Sequence, residues 1–135
     1  MVLYKVCNDT SQKGLSWYCK LQPICRNYEI RTCLTYIKAR FGKCSGISFV
    51  DSTPLKVCDN HRIHNHRVFS KYAKTGKSSM GWFYGFKLHM IINDAGEILS
   101  FCLTSGNVDD RNEAVMDSLT KEIFGKLFAD RGYIS

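Results

Sequence analysis

The alternation in YGFKLHMII, residues 84–92, constrains this chain more than any other feature. Tyr84, Phe86, Leu88, Met90 and Ile92 take turns with Gly85, Lys87 and His89. Side chains in a strand point to opposite faces with a period of two, so the run reads as a strand half-buried on its apolar face. Asn93-Asp94-Ala95-Gly96 supplies turn residues, and 97–103 alternates again, which predicts an antiparallel hairpin. Upstream, 47–51 (ISFVD) reads as a short buried strand ending in a carboxylate, closed by Pro54. Downstream, Asp110 and Glu113 form a D-x-x-E capping pattern. Behind it Val115, Met116, Leu119 and Ile123 make a helical stripe that Gly125 ends, and 126–130 (KLFAD) is a second short strand ending in a carboxylate.

The order is therefore strand, hairpin, helix, strand. A helix leading from a hairpin to a last strand predicts that this strand lies parallel within the same sheet. The fold class is α/β, and the ends of the first and last strands, Asp51 and Asp130, come together. Ahead of the sheet, Ile30, Cys33, Leu34, Ile37 and Phe41 recur at helical spacing over 29–41, with Lys38 and Arg40 suited to the negative end of the helix dipole and Gly42 as a stop. Residues 1–28 show no sustained period and form a leader to which no function is assigned. Residues 29–135 form the domain.

Hydrophobic residues make up 44% and charged residues 23%, the balance of a globular protein. No run of eighteen apolar residues exists to span a membrane, and the N-terminus lacks a basic region followed by an apolar one. The seven cysteines are scattered without a C-x-x-C pair, which predicts free thiols in a reducing cytoplasm. Net charge is +7. Lys56, Arg62, Arg67, Lys71, Lys74 and Lys77 face the single acid Asp59, so six cations against one anion put +5 of that excess into residues 56–77. A concentrated excess points to nucleic acid as the partner. The stretch 55–80 lacks clean periodicity and reads as an exposed excursion. Tyr84 and Phe86 belong to the core, whereas Trp82 is a candidate to stack on bases.

Two other motifs weaken on inspection. Cys58, His61, His64 and His66 are zinc-ligand types, but their spacing is compressed and no second cysteine pair accompanies them. The G-K-S at 76–78 lacks the glycine a phosphate-binding loop requires five residues earlier, where Lys71 stands.

Three long words carry a resemblance: GISFVDSTPLKVC at 46–58, GKSSMGWFYGFKLHMIINDAGEILSFCLTSGNVDDR at 76–111 and GKLFADRGYIS at 125–135. Together they resemble bacterial insertion-sequence transposases of the DDE type, from about residue 29 to the end. The resemblance implies a ribonuclease H-like mixed sheet whose first and fourth strands carry the first two acids, Asp51 and Asp130. It implies that these hold Mg²⁺, with Mn²⁺ as a substitute, for hydrolysis at transposon ends and strand transfer into target DNA. Carboxylates suit such a hard cation, and phosphodiester chemistry commonly uses two of these ions. The third acid of the family is a glutamate on a helix beyond the second aspartate. No earlier acid replaces it here: Glu113 fits a cap, Glu122 ends the same helix, and Asp109 and Asp110 read as caps. The expectation is a C-terminally truncated domain, inactive alone or nearly so. The alternative is a non-catalytic DNA-binding remnant that interferes with a full-length transposase by competing for DNA or mixing into its oligomer.

Overall fold

The computed structural model describes residues 2–6, 36–37, 39–130 and 133. Strand β1 is Val2–Val6, β2 Ile47–Cys58, β3 Lys74–Ser78, β4 Gly81–Asn93, β5 Ile98–Ser105 and β6 Gly125–Ala129, with helix α1 at Glu113–Thr120 and a 3-10 turn at Asn60–Asn65. They form one six-stranded mixed sheet in the order β1-β6-β2-β4-β3, and β5 also pairs with β4. Because β2 occupies one edge of β4 over 84–93, β3 and β5 share the other. Strands β2 and β6 run parallel, and the other pairings are antiparallel. This is the α/β sheet expected, consistent with part of a ribonuclease H-like fold. The parallel pair follows from the crossover through α1.

The hairpin β4–β5 closes through Asn93. Its side chain accepts from Glu97 N at 2.8 Å and donates to Glu97 Oε2 at 2.8 Å and to Lys43 O at 3.2 Å. At the start of β6, Gly125 has φ +91°, and a Cβ there would lie 2.3 Å from Gly46 O. Only glycine lets the backbones approach this closely, and Lys126 N then donates to Gly46 O at 2.8 Å to start the parallel ladder.

The odd-numbered face of β4 is the covered one. Val115, Leu119 and Ile123 pack over Val50, Ile91, Cys102, Leu127, Ala129 and Tyr133, forming the main core. This corrects the expectation that Tyr84, Phe86, Leu88, Met90 and Ile92 mark the buried face. Lys87, His89, Ile91 and Asn93 are buried, whereas Leu88, Met90 and Ile92 are half-buried. Alternation reports that two faces differ, but the placement of α1 decides which one loses its water. The even-numbered face carries a second cluster at one end, where Tyr84 and Phe86 meet Val57, Cys58, Ile63, Phe69, Tyr72, Ala73 and Leu103.

That second cluster also revises the reading of 55–80 as an open excursion. Strand β2 runs through Pro54 to Cys58 instead of closing there. Its pairing with β6 ends at Val50, so from Asp51 onwards β2 is an edge on that side, where proline is tolerated. The segment from the 3-10 turn to β3 folds back as a flap, with Phe69 edge-on to Phe86 at 5.7 Å and His66 stacked on Phe69 at 5.9 Å. A few long-range contacts hold it, which is why no period is visible.

Helix α1 also differs in its ends. Its N-cap is Asn112, whose side chain accepts from Val115 N at 3.3 Å, and not Asp110. It stops at Thr120, so Gly125 opens β6 instead of ending the helix. Strand β1, antiparallel to β6 from Val2/Ala129 to Val6/Gly125, lies in the segment read as a leader. The rest of that leader and most of the stripe expected over 29–41 lie outside the described residues. Tyr36 and Ile37 are helical, and Phe41 sits edge-on to Phe101 at 5.8 Å.

Leu119 is 1% exposed at the centre of the main core. Leu119→Ala is expected to cost about 2–5 kcal/mol in urea unfolding followed by circular dichroism. A loss well below this range would place the helix off the sheet.

Candidate active site

The parallel register pairs Ile47 with Lys126, Ser48 with Leu127, Phe49 with Phe128 and Val50 with Ala129. One further step sets Asp51 beside Asp130. Alternation puts Asp51 on the face of Phe49 and Asp130 on the face of Phe128, and those two rings stack at 5.4 Å. The two carboxylates are thus exposed on one face where the β2/β6 pairing ends. Asp51 lies inside β2, opposite Met90 on β4, and does not close the strand as expected, whereas Asp130 directly follows β6. Asp51 is oriented by the next peptide, whose Ser52 N donates to its Oδ1 at 2.7 Å. Accessible oxygen anions from neighbouring strands are a donor set that fits a hard divalent cation. Among the described residues no group of three His, Cys, Asp or Glu side chains is gathered as metal donors.

Directly behind, on the covered face, lies a polar cluster. Lys87, 9% exposed, donates from Nζ to Asp110 Oδ1 and to Val108 O, both at 3.1 Å. Ser52 Oγ donates to the same Asp110 oxygen at 3.2 Å. His89, fully buried, contacts Thr104 Oγ1 through Nε2 at 3.0 Å and the Tyr133 hydroxyl through Nδ1 at 3.4 Å, with Asp110 Oδ1 at 3.9 Å. Ser52 also bonds the Tyr133 hydroxyl. Burial, aided by the Asp110 and Asp51 charges and opposed by that bond, raises the Tyr133 pKa to about 12, so it remains a neutral phenol. Asp110 is therefore an ion-pair partner, not a helix cap. Asp109 instead accepts from Arg111 N at 3.0 Å. Sequence reading missed this cluster; the signal present was Lys87 and His89 one strand step apart.

The expected DNA contacts are scattered over the flap and its flanking strands. Arg62, Arg67, Lys71, Lys74 and Lys77 are exposed. Lys56 pairs with Asp59 at 2.6 Å, and its hydrogen bond and charge hold the Asp59 carboxyl below the ordinary range. Both side chains are more than half exposed, so the pair adds little to stability. Trp82, 64% exposed, lies across from Lys77 in the β3–β4 ladder, beside Met80 at 95% on the turn. Tyr84 and Phe86 are core, as expected. Gly76 and Lys77 sit inside β3 and not in a phosphate-binding loop. His66 Nε2 accepts from Phe69 N at 3.2 Å, which gives this ring a structural task.

A family model described as Transposase DDE domain matches residues 41–135. The chain belongs to the DDE transposase family. No curated protein and no solved structure matches it. The match runs from before β2 to beyond β6, so both aspartates and the polar cluster fall inside the transposase domain. Among the described residues no helix is long and apolar enough to cross a membrane.

The buried histidine gives this transposase a pH signature. Burial lowers the His89 pKa from 6.5, with Asp110 opposing the shift and Lys87 reinforcing it. A base with a depressed folded pKa takes its proton more readily when unfolded, so its contribution is present above 6.5 and lost as pH falls below it. Tm by circular dichroism should fall between about pH 7 and 5, and His89→Gln should flatten part of that slope. Equal slopes in the two proteins would show that His89 is not its source.

Proposed function

We propose that Asp51 and Asp130 are two catalytic acids of this transposase and that together they hold Mg²⁺, with Mn²⁺ as a substitute, for cleavage and strand transfer of DNA. The observation that supports the reading is the β2/β6 register, which ends one residue before Asp51 and Asp130, both of them exposed. A bound divalent cation supplies charge neutralisation at the scissile phosphate and lowers the pKa of the attacking water or hydroxyl. The chain's own part is to fix the two carboxylates, with Ser52 N holding one oxygen of Asp51. Lys56, Arg62, Arg67, Lys71, Lys74 and Lys77 bind the phosphate backbone of transposon-end and target DNA, and Trp82 stacks on its bases.

A second reading, a DNA-binding chain that interferes with a full-length transposase, draws on the flap. Its cations stand over a small core of their own, apart from the main core beneath the acids, so binding does not require cleavage.

The deciding experiment is Mn²⁺ calorimetry on wild type, Asp51→Asn and Asp130→Asn, with circular dichroism confirming the fold of each. Both substitutions should weaken binding. A folded wild type that takes up no Mn²⁺ would favour the second reading. Metal-dependent cleavage of transposon ends by the chain, lost in Asp51→Asn, would support the catalytic reading over the second. For DNA affinity, neutralising about five phosphates gives a log–log salt slope of about −4 to −5. A slope near zero would remove the flap from the interface.

A further inference from the structure

The polar cluster under the acids is an unusual use of a covered sheet face. One strand step away Val50 and Ile91 are fully apolar neighbours, yet here Lys87, His89, Ser52 and Thr104 replace them. Burying an ammonium and an imidazole costs stability even when both are bonded, and a hydrophobic set of similar volume is often as stable or more so. Stability alone therefore does not explain the choice.

Connectivity gives another explanation. Ser52 follows Asp51 directly, and its peptide N–H already orients the Asp51 carboxylate. Its hydroxyl is fixed by Asp110, which Lys87 holds while also gripping the carbonyl of Val108. Tyr133 lies three residues beyond Asp130, and its N–H donates to Asp130 O at 3.0 Å, folding the chain back under the strand end. The Tyr133 hydroxyl then meets Ser52 and His89. One set of side chains thus joins the two strands beside the acids, working from the opposite face of the sheet.

We propose that Ser52, Asp110, Lys87 and Tyr133 are positioning residues that lock the Asp51 and Asp130 carboxylates into the spacing a divalent cation requires. The proposal rests on the reading of those two aspartates as metal ligands. Outer partners that orient a ligand shell change metal affinity about ten- to a hundredfold when removed. None of the four touches the cation or the substrate.

The test is Mn²⁺ calorimetry on the full chain, with the Tm of the metal-free protein recorded for every variant. Tyr133→Phe keeps the ring in the core and removes only the hydroxyl. Ser52→Ala removes the link to Asp110, and Ser52→Thr restores a hydroxyl at the same place. Lys87→Met combined with Asp110→Ala removes both charges together, so that neither is left buried alone. The expected result is about tenfold or greater weakening of Mn²⁺ binding in Tyr133→Phe, Ser52→Ala and the double variant, with recovery in Ser52→Thr. That loss should be present well below the Tm of each variant, which a purely structural role would not produce. Wild-type affinity in Tyr133→Phe and Ser52→Ala, alongside lost binding in Asp51→Asn, would overturn the positioning role and leave the metal site standing. A wild type that binds no Mn²⁺, or whose binding survives both Asp51→Asn and Asp130→Asn, would overturn the site and the positioning role together.

Discussion

The pairing of β2 with β6 decides where every functional side chain stands. Parallel strands cannot be joined by a tight turn, so the chain must cross over through α1 before β6 can lie down beside β2. That crossover brings Val115, Leu119 and Ile123 onto one face of the sheet, while the flap packs on the other. The close approach of Gly125 to Gly46 sets where the ladder begins, and the stacked Phe49 and Phe128 keep its register on the open face. A slip of one residue would turn every β6 side chain to the opposite face. Asp130 would then point into the covered side while Asp51 stayed outside, so the acid pair exists only in this register.

Asp51 and Asp130, where the β2/β6 pairing ends, lie over a polar patch on the other face. The cluster of Lys87, Asp110, Ser52, His89 and Tyr133 sits where continuous apolar packing would be simpler. Places where local rules give way tend to be functional, because nothing else maintains an arrangement that costs stability. Here every buried side-chain polar atom among the described residues has a partner, so the cluster is closed and stiff instead of being a pool of unsatisfied groups. On the proposed reading, stiffness is useful under two like-charged carboxylates that would share a cation.

Much of this was legible from the residues. Period two located β4 and β5, the stripe of Val115, Leu119 and Ile123 located α1, and the helix after the hairpin implied the parallel strand that brings Asp51 to Asp130. What stayed hidden was tertiary. Alternation in YGFKLHMII marks two unlike faces, and the strand's apolar face proved the less buried because α1 covers its polar one. Asp110 and Asn112 are both good N-cap residues two positions apart, and only the nearness of Lys87, distant in sequence, draws Asp110 away from that task. Strand β1 pairs with the far edge of β6 through backbone bonds that leave no side-chain period. The flap is likewise held by Phe69 and Ile63 against Tyr84 and Phe86, contacts that no local pattern announces.

The charge layout ties these parts into one working surface. The acids share their face with Phe49, Phe128 and the exposed Lys126, and with the apolar underside of the flap. A phosphodiester brought towards Asp51 and Asp130 meets two negative groups before any cation is bound, and that repulsion has to be offset elsewhere. On the proposed reading, the cations of residues 56–77 would supply that offset from a flap with a small core of its own. The uneven distribution of +5 out of +7 over those residues is the charge that such an approach of DNA to the acids requires.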